Sequence, residues 1–207
     1  MKRNKKKYNG NTRIEQKKET RNLILESAKI HFEKSGFDRA TLRAIASNAN
    51  VGLGTIFNYF PNKPSLLIAT LLDELEKVED LAFRSLPEND SIIEKCIHIT
   101  GTYYSYYAKH ISLSRTLIKE SNFIQGEFGD LLVNRTDNFI CRIRDMMISA
   151  QKKGEIRKEA DCDLAAKTYF SFFIRYLFAG LNAQKFDVEK SLDTIRKLME
   201  QYVKGVG

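Results

Sequence analysis

TLRAIASNANVGLGTIFNYF, residues 41–60, holds two short apolar patterns of helical period on either side of a turn. Thr41 stands where its hydroxyl can cap the free amides of a short helix that buries Leu42, Ile45, Ala46 and Ala49 and ends near Asn48. A further short helix is expected from about Leu53 to Phe60, stopped by Pro61. Two helices in this arrangement need a small residue where they touch, a turn residue tolerant of positive φ, and apolar inner faces. Ala46 is the small residue, Asn50 takes the turn because asparagine visits the left-handed region readily, and Val51, Ile56 and Tyr59 are expected to pack back onto Ile45 and Ala49. The pattern predicts a helix-turn-helix.

Working outward, Ile24, Leu25, Ala28 and Phe32 recur at helical spacing and predict a preceding helix that stops at Gly36. Before it, residues 1–12, MKRNKKKYNGNT, are basic and without period, and read as a flexible arm. On the other side, Asn62 is a candidate cap for a long helix carrying Leu66, Leu67, Leu71, Leu75 and Val78. The stretch Ser85 to Asp90, with Pro87, breaks the pattern, after which Ser91 and Glu94 form a capping box for a helix reaching Lys109. Further helices are expected over 112–122, over 130–153 closed by Gly154, and over 162–182 and 188–203 behind Asp161 and Asp187 as caps. No segment has a convincing period of two, so the fold class is all-α with about nine helices. The expected organisation is an arm over 1–12, a helix-turn-helix domain over 13–65, and a second helical domain over 66–207.

Charge divides the same way. Residues 1–65 carry 14 Lys and Arg against 5 acidic residues, whereas 66–207 carry 20 against 21, so one end of the chain is built for a polyanion. Anionic membranes and acidic proteins would be attracted too, and charge does not choose among them. The longest apolar run, Tyr169 to Leu181, contains Arg175 and is short of the about 20 residues a membrane span needs. No apolar run follows the basic N-terminus where a signal peptide needs one, and a cytoplasmic protein is expected. Cys96, Cys141 and Cys162 fit neither a disulfide framework nor a zinc pattern. His31, His98 and His110 lie apart and no nucleophile elbow or phosphate loop is present, so no enzyme, metal or cofactor is expected.

From Thr20 to Leu67 the chain resembles the DNA-binding domain of the TetR family, which reads F-x-x-x-G-F, then T-x-x-x-I-A-x-x-A-G-V and G-T-x-Y-x-Y-F-x-x-K. The counterparts are Phe32, Gly36, Phe37, Thr41, Ile45, Ala46, Ala49, Asn50, Val51, Gly54, Thr55, Phe57, Tyr59, Phe60 and Lys63. The chain departs from the pattern at Leu53, where the family often has Lys, and at Phe57, where it has Tyr, so two polar backbone contacts are in doubt. Lys2, Arg3, Lys5, Lys6 and Lys7 of the arm are candidates to compensate.

The resemblance implies a homodimeric regulator of transcription, usually a repressor, bound to a palindromic double-stranded operator and released by a small effector. A nucleoid-associated or architectural DNA binder without an effector is the alternative. In a helix-turn-helix the second helix enters the major groove, which puts Gly54, Thr55, Phe57, Asn58 and Tyr59 nearest the DNA. Asn58 suits a bidentate contact to adenine, and Leu53 and Phe57 suit thymine methyl groups. Thr41, Arg43, Thr55, Tyr59 and Lys63 suit phosphates. For Tyr59 a core role, and for Arg43 a solvated surface role, stand beside these. Tyr103, Tyr104, Tyr107, Phe123 and Phe139, with Phe173 and Arg175, are candidates to line a pocket for an apolar or aromatic effector, although ordinary core packing explains such aromatics equally. Arg175, set among aromatic residues, needs a carboxylate, a carbonyl or an anionic ligand, with Glu120 or Asp145 as candidate partners. The apolar surround of helix 162–182 calls for burial on several sides, which a dimer interface supplies.

Overall fold

The computed structural model describes residues 10–122 and 124–204. Among the described residues the chain forms nine helices and no strand: α1 Gly10–Arg39, α2 Leu42–Asn48, α3 Leu53–Tyr59, α4 Lys63–Arg84, α5 Ile92–Lys109, α6 Ile111–Ser121, α7 Glu127–Lys152, α8 Cys162–Asn182 and α9 Val188–Lys204. The all-α expectation holds, and the caps explain why. Thr41 Oγ1 accepts from Ala44 N at 3.2 Å, Asn62 Oδ1 from Ser65 N at 2.8 Å, and Ser91 Oγ from Glu94 N at 3.3 Å. Asp161 takes the amides of Asp163 and Leu164, and Asp187 that of Lys190. Each satisfies a backbone donor that the first turn of a helix leaves without an intrahelical partner.

The chain separates into two compact units, residues up to Leu71 and residues from Leu72, with the break inside α4. In the first unit, Ile24, Ala28 and Phe32 of α1 meet Ile45 of α2, Ile56 of α3, Phe60 and Leu66–Leu67 in a core that is almost wholly shielded from solvent. Gly36, at φ 75° and ψ 164°, interrupts α1 where the chain turns toward α2. Two features depart from the expectations. α1 begins at Gly10, inside the stretch read as an arm; Arg13, Glu15, Gln16, Lys17, Lys18 and Glu19 are good helix formers that need no apolar stripe. Lys2, Arg3, Lys5, Lys6 and Lys7 lie outside the described residues. α7 begins at Glu127, not Asp130, because Gly126 at φ 71° makes the turn into it.

In the second unit α7 packs on α8, and α5 on both α8 and α9. Polar groups in this core are matched. Tyr169 hydroxyl donates to Cys96 O at 2.9 Å and lies 2.8 Å from Thr100 Oγ1, and Tyr104 hydroxyl donates to Phe173 O. Arg115 of α6 donates to the carbonyls of Leu181 and Ala183, closing the C-terminal end of α8. Near that end a Cβ on Gly180 would come within 2.2 Å of the Phe186 ring, so the helix passes the ring only as glycine.

Candidate functional site

The first unit presents two short helices joined by Asn50, whose φ of 53° lies in the left-handed region as the turn requires. Val51 N donates to Ala46 O at 3.0 Å across this turn, and Ala46 is buried, giving the close helix contact. α2 is tied to α1 by Ser27, whose hydroxyl donates to Ile45 O at 2.8 Å and accepts from Asn48 Nδ2 at 3.1 Å. Nothing in the sequence pattern singled out Ser27, since its use depends on how the helices cross.

On α3, Ile56 is fully buried while Gly54, Phe57 and Asn58 are exposed and Thr55 is half-buried, so one face holds the core and the other faces outward. Phe57 is 48% exposed, a large apolar ring held in water. Leu53 is half-buried, one turn away. Arg43 and Thr41 are exposed on and beside α2, with the Thr41 hydroxyl accepting the Ala44 amide. Tyr59 is half-buried and reaches α1, where its hydroxyl donates to Lys17 O at 3.1 Å. Lys63 Nζ donates to Asp38 O at 3.1 Å and lies 4.5 Å from the centre of the Phe37 ring.

The second unit contains a cavity of about 430 Å³. Its wall is built from Tyr103 and Tyr107 of α5, Leu117 and Ile118 of α6, Arg135, Thr136 and Phe139 of α7, and Phe170, Phe173, Ile174 and Phe178 of α8. Tyr103 meets Phe139 and Phe173 edge-on, each with ring centres 5.6 Å apart, and Phe170 stacks on Phe173 at 6.1 Å. Burial pushes the phenols of Tyr103 and Tyr107 up from their ordinary range, and the Arg135 charge pulls both the other way. Burial also pushes the Cys96 thiol up to about 12.

Of the residues proposed for a pocket, Tyr103, Tyr107, Phe139 and Phe173 are brought together here. Tyr104 is core instead, fully buried against the Phe173 carbonyl and the Phe186 ring. Arg175 is exposed, with its guanidinium 5.9 Å from the Tyr176 ring centre, because a position two residues from Phe173 points to another side of α8. Neither expected partner serves it: Glu120 lies by Lys119 and Asp145 by Arg144. Phe123 lies outside the described residues.

The cation in the wall is Arg135. Its Nη2 is 3.2 Å from Glu79 Oε2 of α4, Arg142 Nη1 is 2.7 Å from Glu79 Oε1, and Tyr103 hydroxyl donates to Glu79 Oε2 at 3.2 Å. Nothing in local sequence marked Arg135, because its importance arises from α4, α5 and α7 meeting. Among the described residues, no three His, Cys, Asp or Glu side chains gather as they would to hold a metal. Nor is any helix long and apolar enough to cross a membrane.

A half-exposed short helix set by a left-handed turn against a companion helix, at the basic end of an all-helical chain, defines a helix-turn-helix DNA-binding protein. The family described as "Bacterial regulatory proteins, tetR family" matches residues 24–70. The HTH-type transcriptional repressor KstR of Mycolicibacterium smegmatis is 35% identical over 188 residues, covering 89% of this chain and 89% of its own. This chain belongs to the TetR family of transcriptional regulators. Its fold is also that of two solved structures. Thermus thermophilus FadR in complex with lauroyl-CoA has a TM-score of 0.72 at 19% identity, over 87% of this chain and 93% of that one. Bacillus subtilis FadR in complex with stearoyl-CoA has a TM-score of 0.69 at 20% identity, over 86% and 96%.

Proposed function

We propose that this chain is a cytoplasmic repressor that binds a palindromic operator as a homodimer and leaves it when an apolar molecule enters the cavity of the second unit. The observation that carries this is the pairing, in one TetR-family chain, of an outward-facing α3 with a largely apolar cavity in the second unit. Asn58 reads base edges, with Phe57 and Leu53 on thymine methyls and Gly54 allowing close approach. Thr41, Arg43, Thr55 and Lys63 hold phosphates and fix register, and Tyr59 adds a phosphate contact when its hydroxyl leaves Lys17.

The homodimer is supported by the outward residues of the last two helices. Leu164 of α8 and Tyr202 of α9 are exposed, and Phe172 and Tyr176 are half-buried, an apolar set that a second copy covers. A two-fold pair would present α3 to half-sites about 34 to 36 Å apart. Tyr103, Tyr107, Phe139 and Phe173 contact the effector. Its class is a long acyl chain: the cavity wall is mainly apolar, and two FadR proteins of the same fold carry lauroyl-CoA and stearoyl-CoA. Effector binding shifts the population toward a conformer that does not fit the operator.

Fluorescence anisotropy on DNA flanking the coding region, against scrambled competitor at two salt concentrations, tests this. A preference of roughly 10³ or more that dodecanoyl-CoA abolishes is expected. Equal binding to both DNAs would assign the chain to architectural DNA binders instead.

A further inference from the structure

Glu79 is shared by two arginines, and this asymmetry bears on what the cavity accepts. Arg135 and Arg142 both pair with this one carboxylate, which Tyr103 also engages, and no other carboxylate pairs with either arginine among the described residues. Within this cluster two guanidiniums share one carboxylate; Asp137 also lines the cavity but pairs with neither arginine, so the pairing itself leaves one guanidinium half-satisfied. Arg142 is the better provided: it makes the shorter contact at 2.7 Å, its guanidinium carbon lies 3.6 Å from the Phe83 ring centre, and its side chain is 41% exposed to water. Arg135 is less so, with a side chain only 23% exposed, a longer contact, and a place in the wall of the apolar cavity. A guanidinium held against apolar surface with half a counterion is costly, and an anion arriving from the cavity side removes that cost.

We propose that the effector carries an anionic group beside its apolar body and that Arg135 is the residue that receives it, while Glu79 stays with Arg142. This rests on the effector reading of the cavity. A planar fork with five donors can hold Glu79 on one edge and a carboxylate or phosphate oxygen on another. The anion is either a terminal carboxylate or a phosphate of a carrier group; the same fork serves both.

The test is isothermal titration calorimetry on the full chain with three probes of equal chain length: dodecanoate, dodecanoyl-CoA and 1-dodecanol, all below their aggregation thresholds. At least one anionic probe is expected to bind roughly tenfold or more tighter than the alcohol, an interval typical of one charge-assisted contact. Dodecanoate leading would assign the carboxylate, and preference confined to dodecanoyl-CoA the phosphate. R135M is expected to bring the anion-to-alcohol ratio to within about twofold of unity, and R135K, which keeps the charge, to restore part of it. E79Q, which removes the competing carboxylate, is expected to raise the ratio. Circular dichroism melting checks that each variant is folded. Anion and alcohol binding equally to the native chain, or a ratio unmoved in folded R135M, overturns the proposal while leaving the effector cavity intact. Binding of none of the three probes overturns the acyl-chain effector reading and this proposal with it.

Discussion

Asn50 is the residue on which the DNA-binding turn depends. Its φ of 53° is available to asparagine and glycine at little cost, whereas a residue with an ordinary Cβ is disfavoured by about 1–2 kcal/mol. Since Asn50 is exposed, N50A is expected to lose about that amount of stability and N50G only a few tenths, read as urea midpoints. A loss as large in N50G would mean the side chain, and not the backbone, does the holding. Cys96 makes a second prediction at this scale. Burial raises its pKa to about 12 from an ordinary 9.0, so the folded chain keeps the proton where the unfolded chain has released it. The stability tied to this group is therefore complete below pH 9 and falls as pH rises toward 12, by about 2 kcal/mol at pH 10.5. Tyr103, Tyr104, Tyr107 and Tyr169, all raised by burial, add to the same alkaline loss. C96A should lower the loss between pH 8 and 10.5 in urea titrations; an unchanged slope would show that the thiol takes no part.

At the scale of the element, α8 passes the Phe186 ring through Gly180. G180A places a methyl where the ring stands, and a destabilisation of about 1–3 kcal/mol is expected from overpacking, measured as the shift in thermal midpoint. G180A together with F186L should recover part of it. The elements themselves were largely legible in the sequence: Thr41, Asn62, Ser91, Asp161 and Asp187 each sit before an apolar period, and each caps the helix that follows. The first turns of α1 were not, because a helix without an apolar stripe leaves no period to read. The helix-turn-helix was legible because its partners are close in sequence. The cavity was only half so. Tyr103 and Tyr104 are neighbours of identical chemistry, and only packing decides that one lines the cavity and the other binds the Phe173 carbonyl. Arg175 interrupts an aromatic run, yet Arg135, beside Asn134 and Thr136, is the one that lines the cavity. Helical period states which residues share a face, and tertiary contact decides what that face meets.

For the whole molecule, charge is the property that spans both ends. With 14 basic against 5 acidic residues over 1–65, operator binding should weaken steeply with salt, log affinity falling linearly with log salt concentration. Deleting residues 2–7 removes five of those positive charges, and it is expected to lower affinity and flatten the slope. A slope identical to the full chain's would leave the arm without phosphate contacts.

The aromatic wall of the cavity has an optical consequence. The chain has nine tyrosines and no tryptophan, so its native emission comes from tyrosine alone, and Tyr103 and Tyr107 stand in that wall. A single indole put in place of Phe170, in the same wall, would be the molecule's sole red-shifted emitter. Its colour would report the polarity around Phe173 from one position with no background, and a molecule entering the cavity would be seen as light before any DNA was added.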